Sequence, residues 1–129
     1  MKKVFFTDRK KISDFEKVIK NLPKNCTVII REYDLDEKNR EIFAEKISSL
    51  SRAQGLKILV GKDFALARKI KADGVHFSDF DKLPLKFFQK KSFPKNFIFS
   101  FSCSTKYRLN VENLSKCDGF RWRIEWHSA

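Results

Sequence analysis

The chain has 129 residues, of which 42% are hydrophobic, so it has room for a single domain with one modest core. Its 28 Lys and Arg against 16 Asp and Glu give a formal net charge of +12, which attracts anions such as nucleic acid, lipid headgroups or phosphorylated small molecules, although a codon bias toward Lys would give the same excess. Three widely spaced cysteines indicate neither a zinc site nor a disulfide framework, and no apolar run is long enough to span a membrane, so we expect a reduced, cytoplasmic compartment.

The first strand and helix are predicted close to the N-terminus. Residues 4–7 form a short apolar run that is typical of a strand. Ser13 and Glu16 form a capping-box pattern, in which each side chain binds a backbone donor of the first helical turn. We therefore expect a helix that begins at Ser13 and ends before Pro23.

A second strand and helix repeat this pattern. Residues 27–30 are apolar and mostly β-branched, as in a strand that is buried on both faces. The next helix is predicted to begin at Asp34, with Glu37 three residues further on, and Gly55 stands where a left-handed C-cap is expected. The predicted buried stripe of this helix consists of Ile42, Phe43, Ile47 and Leu50.

The rest of the chain continues the alternation of strands and helices. Further strands are predicted at 57–60, 74–77, 97–102 and from 117 onward. A period of about 25 residues without hairpin signals indicates a parallel sheet with crossover helices. An open doubly-wound sheet and a barrel both satisfy this pattern, and Ser100 and Ser102 favour the barrel, because a barrel strand ends at a polar mouth.

Several short motifs resemble those of thiamine phosphate synthases and their thiazole-tautomerase relatives. The segment KADGVHF at 71–77 resembles the family strand GADGVHLG, and it would carry His76 toward the barrel mouth. Five further landmarks follow the family order. They are Phe6-Thr7-Asp8, similar to "iTD"; residues 28–34, similar to "QxREKD"; residues 59–63, in the place of "iiND"; Asp81, similar to the aspartate after "HLG"; and Ser102, similar to the serine of "GxSxH".

The resemblance implies an α/β fold built from parallel (β/α) units of a TIM barrel. About five to six of the eight units would be present. They would occupy residues 1–120, followed by a short non-family tail over 121–129.

The resemblance also implies an activity, in which hydroxymethylpyrimidine pyrophosphate is joined to thiazole phosphate while magnesium holds the leaving pyrophosphate. The catalyst's task would be mainly electrostatic, and no residue is assigned a covalent role. By this resemblance Arg31, His76 and Ser102 would bind substrate or phosphate, and Asp81 would be a magnesium ligand.

The chain departs from the family pattern at several of these positions. Tyr33 stands where the family has a lysine, and Lys62 stands where it has a second magnesium-binding aspartate. Ile29, Gly61 and Ser104 replace a glutamine, an asparagine and a histidine. A complete barrel needs at least about 200 residues. We therefore expect a degenerate or truncated synthase with weak or no activity, whose C-terminus results from truncation or a reading-frame change.

Two other hypotheses follow from the residues themselves. The basic charge, together with Tyr107, Trp122 and Trp126 near arginines, would suit a nucleic-acid- or phosphate-binding module without catalysis. Open strand edges of a partial barrel would also allow chains to associate as a homo-oligomer.

Overall fold

The computed structural model of the chain describes residues 3–78, 96–102 and 123–127, and in the last of these ranges it describes the side chain of Glu125. The chain divides into two compact units, Met1–Val75 and His76–Ala129, called here the N-terminal and C-terminal units. None of the helices in the described ranges is long and apolar enough to cross a membrane.

The N-terminal unit consists of strands and helices in strict alternation. In chain order they are β1 (Lys3–Phe6), α1 (Phe15–Lys20), β2 (Cys26–Ile30), α2 (Glu37–Ala53), β3 (Lys57–Gly61) and α3 (Phe64–Lys69). β2 pairs with β1 on one side and with β3 on the other, and both pairings are parallel. Every residue of β2 is buried, which confirms the prediction of a strand covered on both faces.

Helix α1 begins one residue later than the capping-box pattern predicts. Its N-cap is Asp14, whose carboxylate accepts a hydrogen bond from the Lys17 backbone N–H at 3.1 Å. The prediction of Ser13 as the cap is therefore wrong. The carboxylate accepts a charge-assisted hydrogen bond at the helix N-terminus, where a negative charge is favourable.

Helix α2 begins two residues later than predicted. Asp36 is its N-cap and accepts a hydrogen bond from the Asn39 backbone N–H at 2.8 Å. Asp34, the predicted start, instead accepts a hydrogen bond from the Arg9 guanidinium at 2.6 Å. The carboxylate that the local pattern assigned to the helix start therefore forms a long-range ion pair with Arg9 instead.

The buried face of α2 also differs from the predicted stripe. Ile47 is fully buried, whereas Ile42 is 57% exposed. Phe43 is half-buried and packs edge-to-face on Phe15 of α1, with ring centroids 5.3 Å apart. The residues that α2 buries are Arg40, Ala44, Ile47, Ser48 and Ser51. Small side chains on this face allow the helix to lie close to the sheet, where the large apolar residues are supplied by the strands.

The end of α2 is the one that the sequence predicts. Gly55 has a φ of +70°, in the left-handed region. The backbone N–H of Gly55 donates to the Arg52 carbonyl and that of Leu56 donates to the Ser51 carbonyl, both at 3.0 Å. These two bonds form a Schellman motif, which satisfies carbonyl groups that the helix leaves without a partner.

We predict that Gly55→Ala lowers the free energy of unfolding by about 1 kcal/mol, because an L side chain is strained in the left-handed region. No atom lies within 4 Å of the added methyl group, so the loss would come from the backbone alone. Urea denaturation would measure it. Gly55→Asn should lose less, since Asn tolerates this conformation. Equal losses for the two variants would contradict the explanation.

The C-terminal unit contains the remaining described strands. They are β4 (Gly74–Ser78), which begins in the N-terminal unit, β5 (Ile98–Ser102) and β6 (Arg123–His127), in the sheet order β4-β5-β6. β6 runs parallel to β5, and Ser100 is the register partner of Glu125. The strand start predicted at 117–120 and Ser104 lie outside the described residues.

Aromatic and hydroxyl side chains alternate along strand β5. Phe99 and Phe101 are fully buried, and the Phe101 ring stacks on Phe77 of β4 with centroids 5.8 Å apart. Ser100 and Ser102 lie on the other face, where both contact one residue of β4. This face of β5 is therefore polar within an otherwise apolar core.

Candidate functional site

The carboxyl ends of β1, β2 and β3 meet at one edge of the sheet, because the three strands are parallel. The segments that leave these ends are residues 7–9, 31–34 and 61–63, and they are called the rim below. Ligands of parallel α/β folds bind at this edge. The rim is therefore the candidate site of the N-terminal unit.

The structure places Arg31, a predicted phosphate-binding residue, directly after β2 on the rim. Its backbone N–H donates to the Thr7 hydroxyl at 3.0 Å. Its guanidinium carbon lies 4.8 Å from the centroid of the Phe6 ring, and the side chain is half-buried. The ring holds the cation in place through its negative face.

Arg40 of α2 is a rim residue that sequence reasoning missed. It is only 8% exposed, and its Nε donates to the Arg31 carbonyl at 3.0 Å. One terminal nitrogen donates to the Gly61 carbonyl at 2.8 Å, and the other lies 3.4 Å from the Asp63 carboxylate. Burial lowers the pKa of the Arg40 guanidinium below its ordinary value, an effect that the charge of Asp63 opposes. One side chain thus ties the end of β2 to the end of β3.

A sequence signal for Arg40 existed. Arg40, Ala44, Ile47 and Ser51 follow one another at helical spacing, so they lie on one face of α2. The predicted stripe used apolar residues alone and therefore passed over this face. A buried arginine among small residues becomes recognisable once the helix phase is known.

Three positions at which the chain departs from the family pattern lie together on the rim. The ammonium of Lys62 is 4.6 Å from the centroid of the Tyr33 ring, and the Arg40 guanidinium carbon is 5.1 Å from it. The Tyr33 hydroxyl packs on the α-carbon of Gly61, in the space that a β-carbon would occupy. The glycine, the tyrosine and the lysine therefore form one packing arrangement.

The acidic residues that follow β2 are bound by Arg9. The Nε of Arg9 is 2.9 Å from a carboxylate oxygen of Glu32, and a terminal nitrogen is 2.6 Å from Asp34. The hydrogen bond from Arg9 lowers the pKa of Asp34, and the same contact raises the pKa of Arg9. The second oxygen of Glu32 is buried and has no hydrogen-bond partner among the described residues.

The other two rim carboxylates bind backbone N–H groups. Asp63 is the N-cap of α3 and accepts a hydrogen bond from the Leu66 N–H at 2.9 Å. Asp8 accepts one from the Lys10 N–H at 3.0 Å. Each carboxylate on the rim therefore already has a protein partner.

Backbone strain is concentrated at two points of the rim. Glu32 has a φ of 54° and Lys62 has a φ of 60°, and neither is a glycine. This conformation costs roughly 1–2 kcal/mol for an L-residue. It occurs just after β2 and just after β3, where the chain leaves the sheet.

In the C-terminal unit the structure brings two predicted residues together. His76 is 4% exposed, and its Nε2 lies 3.2 Å from the hydroxyl of Ser102. Its Nδ1 lies 2.9 Å from the hydroxyl of Ser100. Both ring nitrogens of the histidine thus contact hydroxyl groups, which fixes the plane of the ring. Glu125, the register partner of Ser100, is also buried, and it lies in the segment predicted to be a non-family tail.

The predicted magnesium ligand, Asp81, lies outside the described residues. Within the described ranges no group of three or more His, Cys, Asp or Glu side chains could hold a metal ion. The side chains of Tyr107, Trp122 and Trp126, proposed for nucleic-acid stacking, also lie outside the described part.

Parallel strands joined by helices, with polar side chains at the carboxyl edge, define a protein of the (β/α) class. The family model described as thiamine monophosphate synthase matches residues 4–118. The chain belongs to this family, as its motifs indicate.

A solved structure, the thiamine phosphate pyrophosphorylase from Pyrococcus furiosus, resembles the chain with a TM-score of 0.72 at 18% identity. The match covers 88% of this chain and 55% of that one, so the chain spans little more than half of its length. This likeness confirms the predicted fold, parallel (β/α) units of a TIM barrel, over the alternative open sheet. No curated protein matches the sequence significantly.

We predict that Arg40→Ala lowers the free energy of unfolding by about 2 to 4 kcal/mol, because it leaves two strand-end carbonyl groups without their donors. Chemical denaturation would measure this loss. Arg52→Ala is a matched control, since Arg52 also donates to two carbonyl groups, those of Ile70 and Lys71, but is exposed. Water can replace the Arg52 bonds, so its loss should be about 1 kcal/mol or less. Equal losses would show that burial does not matter here.

Proposed function

We propose that the chain is a thiamine phosphate synthase-like protein that binds phosphorylated small molecules at the carboxyl ends of its strands and has weak or no synthase activity. The family's ligands, hydroxymethylpyrimidine pyrophosphate and thiazole phosphate, are the proposed partners. The observation that supports this most directly is the position of Arg31, held over Phe6 at the end of β2 in a member of this family. A guanidinium suits phosphate because its donors match the phosphate oxygens.

Within the C-terminal unit, His76 and Ser102 are proposed to bind substrate or phosphate. The histidine is buried, whereas Ser102 is half-buried at the end of β5. In this proposal Ser102 contacts the ligand, and His76 orients the hydroxyl of Ser102. Ser100 holds the histidine from the other side.

Weak activity follows from the charges of the rim. The family reaction depends on electrostatic stabilisation of the departing pyrophosphate. The described rim does not fit a magnesium ion, because each of its carboxylates already has a partner and Lys62 adds a positive charge. Asp81 remains the proposed ligand, and one carboxylate holds magnesium only where substrate phosphates complete the shell.

The remaining expectations stand as proposals. They are a cytoplasmic location and association of chains through open strand edges. Binding of nucleic acid gains no support from the described residues, because the aromatic side chains that suggested it lie outside them.

The activity itself is tested by incubating the purified chain with both family substrates and magnesium. We expect thiamine phosphate to form at least about a hundredfold more slowly than with the Pyrococcus furiosus protein, the scale of losing one electrostatic contact in the transition state. Chromatography of the product would measure the rate. The Pyrococcus furiosus protein serves as the control, and equal rates would contradict the proposal.

The two serines of β5 offer a matched pair of variants. Ser102→Ala should weaken binding of thiazole phosphate with little change in stability, since its hydroxyl is half-buried. Ser100→Ala should instead lower the free energy of unfolding by about 1 to 2 kcal/mol, because it leaves a nitrogen of the buried His76 without its partner. Calorimetric titration and denaturation would separate the effects. The reverse pattern would assign ligand contact to Ser100.

A further inference from the structure

A cavity of 380 Å³ in the N-terminal unit borders the rim, with which it shares Tyr33 and Asp63. Its wall is formed by the first two turns of α2, by α3 and by the loop that precedes α2. Pockets that bind small molecules have volumes of about 300–1,000 Å³. The cavity is therefore large enough to hold a small organic molecule.

Part of the cavity wall is apolar. Leu35, Ala65 and Leu66 line it, and so does Tyr33, which is 48% exposed. A ligand that covers this surface removes apolar area from water, which favours binding. A molecule with an apolar body therefore suits the cavity better than a bare ion does.

The charged part of the wall has an excess of negative charge. It consists of three carboxylates and two cations, a formal net charge of −1, and these residues are Glu37, Glu41, Asp63, Arg40 and Lys69. The whole chain has the opposite sign, with a formal net charge of +12. The wall therefore favours a positively charged ligand, and its three carboxylates repel a phosphate group.

Both cations of the wall are paired with a carboxylate. Lys69 lies 2.8 Å from Glu41, and a terminal nitrogen of Arg40 lies 3.4 Å from Asp63. The carboxylate of Glu37 forms neither a hydrogen bond nor an ion pair with the described residues. The pKa of Lys69 is raised, chiefly by its hydrogen bond to Glu41 and more weakly by the charge of Glu37. Glu37 thus supplies the excess negative charge of the cavity.

The carboxylates of the wall do not converge on a single point. Within the ranges that the structure describes, no group of three or more His, Cys, Asp or Glu side chains could hold a metal ion. An organic cation is larger than a metal ion, and its N–H groups can form a bidentate pair with one carboxylate. The cavity therefore suits an organic cation rather than a metal ion.

We propose that this cavity binds a small organic cation, in which an amidinium, guanidinium or primary ammonium group is attached to an apolar body. The cationic group binds the Glu37 carboxylate, and the apolar body packs on Leu35, Ala65 and Leu66. This site is a second binding site, which takes a ligand of the opposite charge from the phosphorylated molecules proposed above and does not depend on them.

The probe for this site is benzamidine, in which an amidinium is attached to an apolar ring. Calorimetric titration of the full chain should detect binding of benzamidine, and its amide chemical shifts should change within residues 35–41 and 63–69. Benzamide has nearly the same shape but no charge, so it should bind at least about tenfold more weakly. Benzoate is an anion and should not bind.

The charge of Glu37 is tested by Glu37→Gln, which should weaken benzamidine binding about tenfold, the value of one charge-assisted contact. Glu16→Gln is the matched control. Glu16 is also an exposed carboxylate in the first turn of a helix, but it does not line the cavity. Its substitution should leave the affinity unchanged, and circular dichroism would confirm the fold of both variants.

The space inside the cavity is tested by Ala65→Phe. Ala65 is exposed in the first turn of α3 and lines the cavity, so a larger ring can fill part of the volume without entering the core. Benzamidine binding should be lost although no charge changes. Ala65→Ser, which adds a single oxygen atom, should retain it.

Four results would overturn the proposal. They are no binding of benzamidine, equal affinity for benzamidine and benzamide, equal weakening by Glu37→Gln and Glu16→Gln, and unchanged binding in Ala65→Phe. The last result would show that the cation is attracted to the acidic surface of the helices without entering the cavity.

Discussion

The rim depends on the hydrogen bonds that the buried Arg40 guanidinium donates to the Arg31 and Gly61 carbonyl groups. Beyond the last paired residues of β2 and β3 the sheet no longer supplies partners for the backbone. A buried carbonyl without a donor would cost more than the bond itself contributes. Burying a charged side chain is unfavourable in turn, and here Asp63 and the ring of Tyr33 offset that cost.

The same interaction makes the unusual residues of the rim interdependent. Gly61 leaves room for the Tyr33 hydroxyl, and Tyr33 in turn contacts both Arg40 and Lys62. A side chain at position 61 would move the ring and with it the lysine. Residues 33, 61 and 62 therefore form one packing arrangement, in which a change at one position affects the other two.

Sequence reasoning succeeded where a local rule governs the outcome and failed where distant residues compete. The burial of β2 and the left-handed Gly55 follow from composition and chain geometry, and both are confirmed. Asp34 fails as a helix start because Arg9, 25 residues away, binds it. Arg40 was missed because a charged residue on the buried face of α2 becomes intelligible only when the strand-end carbonyl groups it binds are known. The pairing of His76 with Ser102 lies between these cases, since each strand was predicted but their contact was not.

The formal charge of +12 invites a search for polyanions, yet net charge fixes neither where an anion binds nor which one. The charged groups of the rim have fixed positions. Its acids are bound by Arg9, Arg40 and backbone donors, and two of its cations lie against aromatic rings. An exposed lysine elsewhere adds to the long-range electric field of the protein. Its side chain is mobile, however, and salt screens its charge. A cation fixed at a strand end acts at short range, where geometry decides. Charges that lie against aromatic rings therefore have defined positions at the strand ends, which charges on mobile exposed side chains do not have.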